Sequence, residues 1–442
     1  VNPPGADDVS RADPVRGAGG AGGAGEAAVE VAVERIAVGG DGVGRDPDGR
    51  VVFVPGALPG ERVVARVVET APRWARAELV ALRSADASAR SARIVPPCAA
   101  AVAGCGGCGW QHMTLDAQRA AKRAMVLEVL ARAGGIAAPV VVDGDALTPV
   151  GFRTTMRAHA GPDGRLAFRA ARSHEVVPAE VCLVADARLD ALRRAIRAVP
   201  GSEVVLRVGD GDAAGLWAPG GGLDATVVPP GVAVGPSAVV AVTVPVAAPH
   251  RTCTFAVSMP SFFQARPDGA AALVAAVGAA VADAPAGRFV DAYGGVGLFG
   301  AALAGDRPLT LVESSPSAVT DARRNLAAVR SADGASPATV VRSEVARWRP
   351  EPAAVAVADP ARTGLGRGAT RVLAATGAPR LVLVSCDAGS LGRDTRLLGE
   401  AGYAHRSSTL VDLFPHTPHV EVVSVFDRRP RSTVGGRDAP HR

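Results

Sequence analysis

Residues 288–299 read RFVDAYGGVGLF. A short apolar run closes on Asp291, breaks into Gly294, Gly295 and Gly297, and reopens on apolar residues, which predicts a strand turning into a helix. Glycines at such a turn let the backbone approach a ligand at the strand's carboxyl end. Working outward, the periodicity predicts helix 269–282, strand 288–293, helix 296–304, strand 309–313 and helix 315–329. Short strands follow over 339–342, 353–358 and 380–385. Alternating strands and helices imply a parallel sheet with helices on both faces, so an α/β domain is expected over 251–428.

Upstream the pattern is different. From about Glu26 to Ala85, short β-branched runs alternate with Gly-Asp-Gly, Pro-Asp-Gly and Leu-Pro-Gly turns, the signature of a small β-barrel. Residues 84–93 read as a polar connector. Residues 115–133 are periodic enough for an amphipathic helix ending at Gly134-Gly135, expected to pack on the catalytic domain. The stretch 140–249 is strand-rich and irregular, with a helix near 189–199. Residues 1–26 read as a flexible Gly/Ala lead-in without the apolar core of a secretory signal, and 429–442 as a basic, solvated tail. The longest apolar candidate, 238–248, is short and broken by Pro245, well under the ~18 residues of a membrane span. No membrane association is expected, and a cytoplasmic location is.

The chain has 442 residues, 52 glycines and 34 prolines. That length suits several domains, and the Gly and Pro content is below that of a disordered chain. The net charge is +5, and Lys122 is the sole lysine against 47 arginines. Arginine pairs well with phosphate, although a GC-rich genome produces the same bias. Six cysteines are too few for a disulfide scaffold.

Chemistry collects at the expected strand ends. Glu313 closes the second strand, where a doubly wound fold places a carboxylate for ribose hydroxyls. Asp359-Pro360 and Ser385-Cys386 close later strands. A thiol at that edge suits methyl transfer to an unreactive carbon. Its thiolate adds to C6 of a pyrimidine and makes C5 nucleophilic. Cys98, Cys105 and Cys108 (C-x6-C-x2-C), with Cys182 downstream, form a soft ligand set whose spacing suits zinc and an iron–sulfur cluster equally. Cys253 has no partner in any motif and reads as a core residue.

The runs CGGCGWQH (105–112), SFFQ (261–264), DAYGGVGLF (291–299), DPARTGLG (359–366), VSCDAGSLGRD (384–394) and DLFPHTPHVEVVSVF (412–426) resemble the S-adenosylmethionine-dependent RNA uracil-5-methyltransferases that carry a TRAM domain and an iron–sulfur cluster. The resemblance spans about 27–428. It implies an OB-like TRAM barrel over 27–85, a central strand-rich iron–sulfur domain over 86–250 and a class I, Rossmann-like methyltransferase domain over 251–428. It further implies Cys386 as the nucleophile and Glu421 as the base that removes the C5 proton. Gln264, Tyr293, Glu313 and Asp359 fall around S-adenosylmethionine, with Arg362 helping to set the nucleotide. Cys98, Cys105, Cys108 and Cys182 become ligands of a [4Fe–4S] cluster.

The expected substrate is a uridine in a loop or flipped from its stack, in 23S rRNA rather than tRNA, and the expected enzyme is a monomer. A non-catalytic RNA-binding factor on the same fold is the alternative of another class. The chain departs from the family pattern at Ala361, Ala388 and Leu298, none of which removes a reacting group.

Overall fold

The computed structural model describes residues 28–246, 251–332 and 334–430. The lead-in expected over 1–26 and the tail beyond 430 lie outside them. The chain opens with strands β1 (Ala28–Ile36), β2 (Gly42–Arg45), β3 (Val51–Val54), β4 (Glu61–Thr70) and β5 (Trp74–Ala85), then helices α1 (Ala87–Ala92), α2 (Ala99–Val102) and α3 (Leu115–Arg132). Next come β6 (Val141–Asp143), β7 (Thr155–Ala160), β8 (Leu166–Arg169), β9 (Val176–Val177), α4 (Ala187–Ala195), β10 (Glu203–Val208), β11 (Ala214–Trp217) and β12 (Ala233–Val234). A hairpin of β13 (Val239–Val246) and β14 (Arg251–Ser258) leads into α5 (Pro267–Val281), β15 (Phe289–Ala292), α6 (Leu298–Leu303), β16 (Leu309–Glu313), α7 (Pro316–Ala332) and β17 (Thr339–Arg342). The chain finishes with β18 (Val355–Ala358), α8 (Gly366–Ala375), β19 (Arg380–Ser385), α9 (Ala388–Glu400), β20 (Tyr403–Leu410) and β21 (Val422–Arg428).

The chain divides into two compact units, one made of residues up to 121 with 167–181 and 415–418, the other of the remainder. In the first, β1 to β5 close into a barrel in the order β1-β2-β3-β5-β4. Alternate residues point inward, as strand geometry requires, so that Val31, Val33, Val52, Val54, Val63, Ala65, Ala75 and Ala77 form its core. The connector expected at 84–93 is partly helical, because Asp86 caps α1 by accepting the Ala89 amide at 2.8 Å. Just beyond it, Arg93 donates two hydrogen bonds to the buried Glu61 carboxylate, at 2.5 and 2.8 Å.

In the second unit an eight-stranded sheet runs β17-β16-β15-β18-β19-β21-β20-β6. Strands β15 to β19 are mutually parallel, and β21 runs antiparallel to β19. The central strands are buried along their whole length, and their side chains alternate between two cores. Phe289, Leu309, Leu311, Val355, Val357, Val382, Val384, Val423 and Val425 face α5, α6 and the β13–β14 hairpin. Val290, Val312, Ala356, Ala358, Leu381, Leu383 and Phe426 face α8 and Leu398 of α9. Cys253 is 2% exposed in the first of these cores.

Several expected bounds move for physical reasons. Helix α6 begins at Leu298 rather than 296 because Gly297 sits at φ +96°, a left-handed conformation no helix interior accepts. The β13–β14 pair, registered from Val239↔Ser258 to Val246↔Arg251, runs across the domain boundary expected at 250. The second half of α3 packs on α9, where a Cβ on Gly392 would stand 2.7 Å from Ala133 Cβ. The apolar stretch 238–248 contributes β13, and no helix among the described residues is long and apolar enough to cross a membrane.

Candidate active site

The alternation that builds the sheet also builds the site. Continue the face of Leu309 and Leu311 by two residues and the side chain is Glu313. The face of Phe289 continues to Asp291, Val355 and Val357 continue to Asp359, and Val382 and Val384 continue to Cys386. Because β21 is antiparallel, Val425 and Val423 run backwards to Glu421. The pairing Ser385↔Val422 makes Cys386 and Glu421 the next residues out on neighbouring strands. Four of the six candidate catalytic and cofactor residues, with Asp291, thus share one face at the carboxyl edge of the sheet, where open α/β sheets bind ligands. Tyr293 follows β15 at φ +60°. Gln264, 8% exposed, lies between β14 and α5.

The β15–α6 turn is tight. The Gly297 amide donates to Gly294 O at 2.8 Å. A Cβ on Gly294 would stand 2.6 Å from Leu311, so only glycine lets the loop pack onto β16. A Cβ on Gly295 would meet nothing within 4 Å, which leaves open space above the turn. Glu313 is held rigidly, its Oε2 accepting the Gly295 amide at 3.1 Å and its Oε1 the Ser314 and Ser315 amides at 2.6 and 2.7 Å. Burial, with the negative charges of Asp394, Glu313 and Glu344, pushes the Tyr293 phenol up to about 12, so it stays a neutral donor.

Asp291 opens the DAYGGVGLF run, where the sequence alone assigns it no role. It is fully buried; its Oδ2 accepts the Gly300 amide at 2.8 Å and its Oδ1 has no partner. Burial, reinforced by Glu313, pushes it up to about 7 against the pull of the Gly300 amide. An orphaned buried acceptor, a fixed carboxylate and open space above Gly295 suit a cationic nucleoside cofactor.

At the reacting end, Cys386 is half-buried. Burial and then the charges of Glu421 and Asp359 push its thiol up to about 12, while Arg362 opposes them. Glu421 is 2% exposed, its Oε1 lacks a partner, and burial beside Asp359 raises it well above the usual carboxylate range. Asp359 is raised by its surroundings and by Asp291. Arg362 Nη2 lies 3.3 Å from His419 Nε2. His419, which sequence reasoning missed, is pushed down to about 4 by burial and neighbouring cations, so its neutral ring is the acceptor. Cys386 directly precedes Asp387, the N-cap of α9, where the helix dipole favours a thiolate. Of the departures, Leu298 and Ala388 are buried first residues of helices, and Ala361 is exposed, its carbonyl accepting the Gly364 amide at 2.7 Å.

The cysteines are arranged less clearly. Cys98, Cys105 and Cys108 belong to the first unit and Cys182 to the second. Cys98 Coulombically raises the Cys105 thiol, adding to burial, and Cys182 is raised by burial. The donor type suits a soft metal, but among the described residues no group of three or more His, Cys, Asp or Glu side chains is gathered to hold one.

Comparison with known proteins covers 90% of the chain. Residues 27–80 match the TRAM domain model. An uncharacterized RNA methyltransferase of Streptomyces coelicolor is 34% identical over 90% of this chain and 92% of its own length. The 23S rRNA (uracil(1939)-C(5))-methyltransferase RlmD of Halomonas elongata is 32% identical over 90% and 89% respectively. The structure of the Pyrococcus abyssi tRNA (uracil-54, C5)-methyltransferase superposes with a TM-score of 0.67 at 22% identity, covering 90% of this chain and all of that one.

Proposed function

The chain belongs to the TRAM-domain RNA (uracil-5-)-methyltransferases and is an S-adenosylmethionine-dependent enzyme of that family; from this premise we propose that it methylates a uridine of 23S rRNA, with Cys386 as nucleophile and Glu421 as base. The observation that carries the assignment of roles is the β19–β21 register, which sets Cys386 beside a buried carboxylate with an unpartnered oxygen.

S-adenosylmethionine, when bound, supplies an electrophilic methyl group on a sulfonium. Glu313 would accept hydrogen bonds from its ribose hydroxyls, and Tyr293, Gln264 and Asp359 would help to hold it. The chain's own chemistry is the rest. The Cys386 thiolate adds to uracil C6, and the displaced π electrons make C5 a carbon nucleophile. Once C5 has taken the methyl group, the S–C bonding electrons leaving on a neutral thioether, the carboxylate form of Glu421 takes the C5 proton. The electrons of that C–H bond restore the C5–C6 double bond and expel the thiolate. Arg362, held by His419, opposes the negative charges that raise the thiol.

The choice of 23S rRNA rests on the Halomonas relative's substrate and the TRAM domain. Mass mapping of 5-methyluridine in rRNA and tRNA from a deletion strain tests it. Loss from tRNA alone would transfer the proposal to tRNA, and no loss from either would favour a non-catalytic RNA-binding factor. The [4Fe–4S] proposal rests on donor chemistry alone: Cys98, Cys105, Cys108 and Cys182 are its ligands, and anaerobically purified protein is expected to hold about four irons and four sulfides. Stoichiometric zinc without sulfide would overturn that reading.

A further inference from the structure

A groove follows α9 away from the active edge. Two cavities of about 380 Å³ each meet at Arg396. The first is lined by Thr363, Arg367 and Arg393 as well as Arg396, the second by Arg429 and His405 among others. The acidic side chain in the lining is Glu400, which Arg367 faces at 3.5 Å. Arg393 is fixed by hydrogen bonds to Asp394 Oδ1 at 2.9 Å and to Thr363 O at 2.5 Å. Arg396, three residues on and so on the same helix face, is exposed, as is Arg429. Neither is ion-paired with an acidic residue among the described residues.

The groove starts beside the chemistry. Thr363 is four residues after Asp359, a separation of at most about 14 Å along the chain. Asp394, which accepts the Leu365 and Gly366 amides at 2.6 and 3.2 Å, is near enough to Tyr293 to raise its phenol. A concave, arginine-lined path leaving the site of a uridine modification matches the part of the substrate that every sequence shares. Guanidinium forks pair with phosphate oxygens, and such contacts position a strand without reading its bases.

We propose that this groove, from Thr363 to Arg429, carries the phosphodiester backbone of the substrate RNA next to the reacting uridine, with Arg396 and Arg429 as the residues that grip it. The proposal rests on the methyltransferase reading for its substrate, and on the groove alone for its location.

The test uses the full chain and a fluorescein-labelled RNA stem-loop with uridines in its loop. For the double variant Arg396→Gln, Arg429→Gln, the Kd is expected to rise roughly tenfold. The slope of log K against log salt is expected to shrink by about 1.4, at about 0.7 per lost single-strand phosphate contact. S-adenosylmethionine affinity is expected to match wild type, which excludes a folding defect. Arg371→Gln, on α8 and outside the groove, is expected to leave the slope unchanged. An unchanged slope in the double variant, or an equal loss in Arg371→Gln, overturns the track. If wild type binds this RNA with the expected slope yet no RNA accepts a methyl group, the methyltransferase premise falls and the track stands.

Discussion

Glu313 and Asp394 on the one hand, and Asp291, Asp359 and Glu421 on the other, are carboxylates around one sheet edge under opposite regimes. Glu313 accepts three backbone amides and Asp394 two, so their negative charge is solvated by the fold itself. Asp291 and Glu421 each keep an oxygen with no partner, and all three of that group are raised. The satisfied carboxylates provide fixed geometry. The unsatisfied ones hold protons that incoming charge can displace, which is what acid–base work requires.

The largest effect expected from this contrast is on the chemistry. Cys386→Ala removes the proposed nucleophile, so methyl transfer and covalent RNA adduct should both vanish while cofactor binding persists. Glu421→Gln keeps the thiolate and loses the base, so a methylated protein–RNA adduct should accumulate. Denaturing gels with labelled RNA distinguish the two, and 5-fluorouridine RNA should trap wild type at the same stage. 5-Methyluridine made by Cys386→Ala would end the nucleophile assignment.

A smaller effect should appear in how the cofactor responds to pH. Asp291 lies near 7 in the free protein, so below that pH it is protonated and neutral, and above it ionised. The sulfonium of S-adenosylmethionine favours the ionised form, and its affinity should rise as pH rises through about 7, by up to roughly tenfold from about pH 6 to pH 8. S-adenosylhomocysteine, a neutral thioether, should show little of this rise. Arg362 and Asp387 are common to both measurements, as are Glu313 and His419, so the difference between the two ligands isolates the charge. Parallel calorimetric curves would mean that the unsatisfied carboxylates do not sense the cofactor.

Glu313→Ala should cost about 1–3 kcal/mol of S-adenosylmethionine affinity for a lost charge-assisted hydrogen bond, with RNA affinity unchanged. Equal losses for both ligands would show that the residue supports the turn rather than the ribose.

Much of this was legible in residue order. Strands 309–313, 339–342 and 380–385 lie at their expected bounds; for 309–313 and 380–385 the reason is that short apolar runs between turn residues have few alternatives once both faces are buried. The site was legible where it continues those runs, as at Glu313, Asp359 and Cys386. His419 carried a signal only as part of HVE, since what makes it useful is an arginine 57 positions away. Strand β6, three residues long, has no periodicity to read and exists because it pairs with β20 from Ser408↔Val141 to Leu410↔Asp143.

The sequence by itself determined the period of each element and therefore which residues share a face, since alternation along a strand is a property of the backbone. It also determined which reactive groups stand at strand ends. Tertiary structure alone decided that β21 enters antiparallel beside β19, which sets Glu421 next to Cys386 across 35 residues of chain. It alone decided that Asp291 and Glu421 are buried with an oxygen unpaired, because solvation depends on every element packed around a group and not on its neighbours in the chain.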